Sequence, residues 1–156
     1  MGVIERLRRW IQVWSGMSLW VRTSVAAGWA GFIWWNSSGV RITGGLVKAP
    51  YLGNLLHAPV FGVLAGLIMM CLAGSAFRRA GLAVIGAVIW GVIDEVHQGY
   101  VPGRHADPWD ALTDAFGAGL FVGLLAWVQS GDARGLRVAL LFFLGVLISA
   151  ALATWC

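Results

Sequence analysis

Residues 81–129 read GLAVIGAVIWGVIDEVHQGYVPGRHADPWDALTDAFGAGLFVGLLAWVQ, and the order of apolar and charged residues here decides the class of fold. Residues 82–93 are an unbroken apolar run that covers about 18 Å as a helix. Asp94 and Glu95 follow it, and a hydrocarbon core of about 30 Å places them roughly two-thirds of the way across. The second half mirrors the first. Counting back from Val128 puts Asp114 about 21 Å from the same side. Two apolar helices therefore bring acidic residues to one level near one membrane face.

The rest of the chain agrees with a lipid environment. Of its 156 residues 59% are hydrophobic and 12% charged, with a mean hydropathy of +0.78. That charged fraction is about half that of an ordinary soluble domain. Five segments are helical in pattern and long enough to cross, namely 19–38, 55–77, 81–100, 108–129 and 136–155. No strand-like alternation competes with them. Between them stand turn residues: Ser37-Ser38-Gly39, Gly44-Gly45, Arg78-Arg79, Pro102-Gly103 and Gly131-Asp132. With no repeat and no linker, the expectation is one all-α domain over 1–156, a polytopic transmembrane helical bundle of about five spans.

Orientation follows from the cations. Arg6, Arg8, Arg9, Arg22, Arg78, Arg79, Arg134 and Arg137 fall on one side and Arg41, Lys48 and Arg104 on the other, eight against three. The positive-inside rule then puts the N-terminus in the cytoplasm and turns the polar layer outward. Residues 1–20 interleave Trp10, Trp14 and Trp20 with arginines, which suits a helix lying in the cytoplasmic interface. No short apolar stretch with a small-residue cleavage site follows the basic start, so the first span reads as a retained signal anchor. The net charge of +4 comes from helix ends and not from a basic, aromatic-studded soluble face, which excludes nucleic acid as a partner. Cys71 and Cys156, two and far apart, give neither a disulfide framework nor a zinc site. Trp34, Trp35, Trp109, Trp127 and Trp155 sit near span ends, as interfacial indoles do. The pairs Gly62 with Gly66 and Gly119 with Gly123 suit close helix packing.

The chemistry is concentrated between His57 and Asp114. Asp94 and Gln98 share a helix face, with His97 on its flank and Glu95 about a quarter turn away. Asp107, Asp110, Asp114 and Gly117 make a second stripe, and Asp107-Pro108 is a cap and first-turn pair that fixes the start of its helix. The short loop between them returns Arg104 toward the acids. Carboxylates at this depth cost a few kcal/mol unless protonated, paired or facing a wet cavity. The plain reading is an ion-pair cluster of Arg104 with Asp94 or Asp110. The functional reading is a pocket open outward, in which Asp94, Glu95 and Asp110 act as acid, base or cation ligands. His57, Gln98, Arg104 and Asp114 would then hold substrate. No cofactor and no particular metal is specified by these residues. Phosphate loops, GxSxG elbows and HExxH are absent, and Ser and Cys nucleophiles beside the acids are lacking too.

The stretch DEVHQGYVPGRHADPWDALTDAFGAGL, residues 94–120, resembles the signature of the VanZ-like membrane proteins. In that pattern an acidic pair, a Gln, a Pro-Gly-Arg loop, an Asp and an Asn precede a glycine. Asp94, Glu95, Gln98, Arg104, Asp110 and Gly117 match it, while Asp114 stands in place of the usual Asn. His57 and Phe61 resemble the upstream His and aromatic, although Gly53-Asn54 replaces the usual Asp-Lys. The resemblance covers roughly 53–125. It implies a multi-pass protein of the bacterial cytoplasmic (inner) membrane, in a family linked to resistance to the glycopeptide teicoplanin. It supplies no reaction, so enzyme or not stays open.

Three functions are compatible with these residues. One is an enzyme or lipid-handling protein of the cell envelope whose partner is a membrane lipid or lipid-linked envelope precursor, with Arg104 on a phosphate. Another is a non-catalytic accessory or scaffold subunit among other membrane protein subunits. A proton or ion pathway ranks last, because it needs polar groups spread across the membrane and the inner halves of the spans read as dry.

Overall fold

A computed structural model describes residues 2–39, 50–102, 104 and 106–155, with the side chains of 50–53 left aside. Arg41, Lys48, Gly44-Gly45, Gly103, His105 and Cys156 lie outside the described residues. Six helices make up the described chain: α1 (Val3–Gly16), α2 (Leu19–Ser37), α3 (Pro50–Cys71), α4 (Ala76–Gln98), α5 (Pro108–Ser130) and α6 (Ala133–Trp155). Their ends follow local chemistry. Ser75 accepts from the Arg78 amide and starts α4 five residues before the expected Gly81. Asp107 accepts from Trp109 N at 2.8 Å and Pro108 opens α5, as the sequence indicates. Gly131 ends α5 in the left-handed region at φ 72°, where a side chain would be strained.

Four helices, α3 to α6, are long and apolar enough to cross a membrane. The first expected span, α2, falls outside that set. It is a 19-residue helix of the right length, but Arg22, Thr23, Ser24, Asn36, Ser37 and its four indoles dilute its apolar character. It packs beside α3 and α4 as a member of the bundle. Apolar side chains cover the outside: Ile85, Ile89 and Val96 on α4 and Leu140, Leu141, Leu144 and Ile148 on α6 are exposed. The interior holds Asp94, Glu95, Gln98 and Asp114. Polar groups inside and apolar ones outside are what a lipid solvent requires.

Helix α5 is the hub, packed against α1, α3, α4 and α6. Small residues let the backbones approach, which is the main source of helix attraction where lipid removes the hydrophobic drive. On α3 the expected pair Gly62 and Gly66 receives Phe121, and on α5 Gly123 meets Gly135 and Ala139 of α6. The core is narrow, built of Phe61, Leu64, Ala65 and Met69 against Ala83, Ala87, Ala118, Val122 and Ala126.

At the arginine-rich end the cations reach the C-terminal carbonyls of neighbouring helices. Arg22 donates to Met70 O at 2.6 Å and Arg8 to Val128 O at 2.7 Å, while Arg79 donates to the Gln129 side chain. Such carbonyls are the negative ends of helix dipoles. The grouping of Arg8, Arg22 and Arg79 on one side therefore holds in space. Helix α1 buries no residue, and its apolar Val3, Leu7 and Trp10 are exposed.

Candidate functional site

The polar layer lies at the other end of the bundle, where the C-terminus of α4 meets the N-terminal half of α5. Asp94 is 2% exposed and has a partner for each oxygen: Ser37 Oγ at 2.5 Å on Oδ1 and Gln98 Nε2 at 2.9 Å on Oδ2. Asp94 and Gln98 share a face because they are four residues apart. Glu95 accepts from Asp107 N at 2.8 Å and from Gln98 Nε2 at 3.4 Å. That first bond joins the end of α4 to the start of α5, so the connecting loop is held from both sides.

A second cluster stands on α3 and α5. His57 Nδ1 is 3.1 Å from Asp114 Oδ1, and His57 Nε2 is 3.9 Å from Asp110 Oδ2. Asp110 and Asp114 share a face at four-residue spacing, so one imidazole addresses both. The approach of the two helices depends on Gly117, one turn beyond Asp114. A Cβ there would overlap the backbone of Ala58, the residue after His57. Pro59 follows, has no amide hydrogen and so leaves the carbonyl four residues back without its helical donor. Opposite, a Cβ at Gly91 would stand 3.3 Å from Asp114 Oδ2, so Asp114 lies against α4 one turn before Asp94. The two helices thus bring their acids to one level, as counting residues indicates.

The two clusters differ in how their groups are satisfied. Asp94 and Glu95 are buried and bonded. His57 and Asp110 keep 25% and 18% of their side-chain surface exposed, and Asp110 Oδ1 is buried with no hydrogen-bond partner among the described residues. A buried acceptor without a donor is costly and is uncommon in native proteins, where strain, a catalytic role, or a bound water or ion accounts for it.

Arg104 departs from expectation. Its Nη2 donates to Asn36 O at 3.2 Å, and among the described residues it forms no ion pair with Asp94 or Asp110. The reason is local: α2 ends in a carbonyl-rich turn under the loop, and that terminus takes the guanidinium. No group of three or more His, Cys, Asp or Glu among the described residues has the spacing to hold a metal ion.

The expectation that no serine stands beside the acids is also corrected. Ser37 is 4% exposed and bonds Asp94, and Ser38 Oγ lies 2.9 Å from His97 Nε2. The His97 ring stacks on Trp34 with centroids 3.8 Å apart, so that indole serves the site as well as the rim of the bundle. Deeper in, Thr113 donates to Ser149 at 2.9 Å and ties α5 to α6. The Asn36-Ser37-Ser38 cluster was the available signal, and its polarity at the end of an apolar helix reads equally well as a turn.

Apolar membrane-crossing helices around a buried carboxylate, amide and imidazole layer define a helical membrane protein with a polar site at one end of its bundle. The family model described as VanZ/LLP1 matches residues 6–129, from α1 to the end of α5, and the chain belongs to that family. No curated protein and no solved structure matches the chain.

Proposed function

We propose that this VanZ-like membrane protein handles the polar head of a lipid or lipid-linked envelope precursor at the layer formed by His57, Asp110 and Asp114. The observation that carries it is His57 held between two carboxylates, with one Asp110 oxygen buried and without a hydrogen-bond partner among the described residues. Asp114 fixes the imidazole through Nδ1, which directs Nε2 toward Asp110. This is how a histidine is oriented for acid–base work. Asp110 and His57 then exchange a proton with the bound head, Arg104 takes a phosphate by its planar fork, and Asp94, Glu95 and Gln98 hold the two helices in register. The excess of arginine at the opposite end supports a cytoplasmic N-terminus and a site facing outward from the bacterial inner membrane.

A second reading, a scaffold subunit of a larger membrane complex, is favoured by the closure of the Asp94 and Glu95 network, whose bonds are all internal. One experiment separates them. Asp94, Glu95, Arg104 and Asp110 are each replaced by Ala, folding is checked, and lipid composition and glycopeptide sensitivity are measured in the expressing cells. The lipid-handling reading expects Asp110→Ala and Arg104→Ala to change these readouts in folded protein. Indifference of both readouts to all four changes, with a stoichiometric partner surviving purification in mild detergent, favours the scaffold.

A further inference from the structure

Away from the polar layer, helices α4 and α6 both pack on α5 and leave a hollow between them. Its volume is about 290 Å³. A dry apolar cavity of roughly 150 Å³ already takes up a benzene molecule in a soluble core. Phe77, Gly81 and Val84 form one wall, Val138 and Phe142 the other, and Gly123 lies in the floor. Every lining side chain is apolar, so water would find no side-chain partner there. The hollow belongs to three helices that are long and apolar enough to cross a membrane.

Its end at the arginine-rich side is spanned by a single side chain. The Arg134 guanidinium of α6 stands 5.1 Å over the Phe77 ring of α4. Asp132 takes Nε at 2.7 Å and Nη2 at 2.6 Å, which leaves Nη1 outside that pair. Arg78, beside Phe77, and Arg137, beside Val138, are exposed. Asp132 is the one acid of the α5–α6 turn, so this mouth carries excess positive charge.

We propose that the hollow is a groove for one acyl chain of an anionic phospholipid, with the lipid phosphate at Arg134, Arg78 and Arg137. Charge selects the lipid, because guanidinium forks suit phosphate oxygens. Size selects a chain over a neighbour's helix, because a helix with its side chains is about 10 Å across and the hollow holds only about 290 Å³. The site is independent of the lipid-handling layer, which lies at the opposite end of the bundle.

The test uses the full chain in detergent with added phosphatidylglycerol or phosphatidylcholine, read by native mass spectrometry. Gly81 lines the groove and a Cβ there would meet nothing within 4 Å, so Gly81→Leu is chosen to fill it. Gly28 on α2 is equally open and gives the control, Gly28→Leu. Retention of phosphatidylglycerol by the native chain and by Gly28→Leu, its loss in Gly81→Leu, and loss of the preference over phosphatidylcholine in Arg134→Gln are expected. Equal retention by Gly81→Leu overturns the proposal, and so does a native dimer that Gly81→Leu converts to lipid-free monomer. Should Gly81→Leu not fold, phosphatidylglycerol with a photoreactive acyl chain is cross-linked to the native chain. Labelling concentrated at 77–84 and 138–142 supports the groove, and labelling spread evenly over exposed Phe32, Ile89 and Ile148 overturns it.

Discussion

His57 and Asp114 meet at 3.1 Å because Gly117 lets α5 lie against the backbone of Ala58. A residue without a side chain thereby sets the distance between an imidazole and a carboxylate. Gly117→Ala should push α3 from α5, cost about 1–3 kcal/mol as overpacking, and separate this pair. Thermal unfolding in detergent checks it, with Gly28→Ala as the comparison, since that helical position is open and shares the gain in helix propensity without the overlap.

Asp114 stands where the signature that residues 94–120 resemble has Asn, and its partner is His57. An amide oxygen can accept from Nδ1–H as a carboxylate does. Asp114→Asn should therefore fold and function, whereas Asp114→Ala should lose about 1–3 kcal/mol by leaving a largely buried ring nitrogen without its acceptor. Comparing the thermal midpoints of the two variants decides the matter; equal midpoints would remove this bond from the account.

Ser37 and Asp94 couple α2 to α4 through a buried hydrogen bond. A double-mutant cycle on Ser37→Ala and Asp94→Ala should show a coupling of roughly 0.5–3 kcal/mol, as contacting residues do. Additive effects would show that the bond contributes nothing measurable.

The Thr113 and Ser149 hydroxyls join α5 to α6 at 2.9 Å. Hydrogen bonds between membrane helices average about 0.6 kcal/mol, so Thr113→Val should lower stability only modestly and leave function intact. A large functional loss in this variant would place Thr113 in the site.

Much of this was legible in the sequence because it depends on spacing along one helix. Asp94 with Gln98, Asp110 with Asp114, and the Asp107-Pro108 start of α5 are local patterns, and each appears as expected. That His57 stands beside the acids was also legible, from its place near the loop end of α3. What was not legible depends on which distant group a side chain meets. Arg104 turns to the Asn36 carbonyl instead of the acids, and Ser37 reaches Asp94 from a helix 57 residues away in sequence. The Glu95 bond to the Asp107 amide closes a loop whose ends no periodicity relates. Helix α2 was legible as a helix, but its indoles and Arg22 leave it outside the four apolar spans.

In the proposed function His57 and Asp110 do chemistry while Asp94 and Glu95 hold the frame. Its most direct test measures folding and cellular function together in His57→Gln and Asp110→Asn, reading unfolding in detergent, lipid composition and glycopeptide sensitivity. Removing an acid–base group commonly costs about 10²–10⁴ in rate, so on the proposed function both variants should fold and lose whatever change in lipid composition and glycopeptide sensitivity expression of the native chain brings. Folded variants that keep both phenotypes at native level would contradict it.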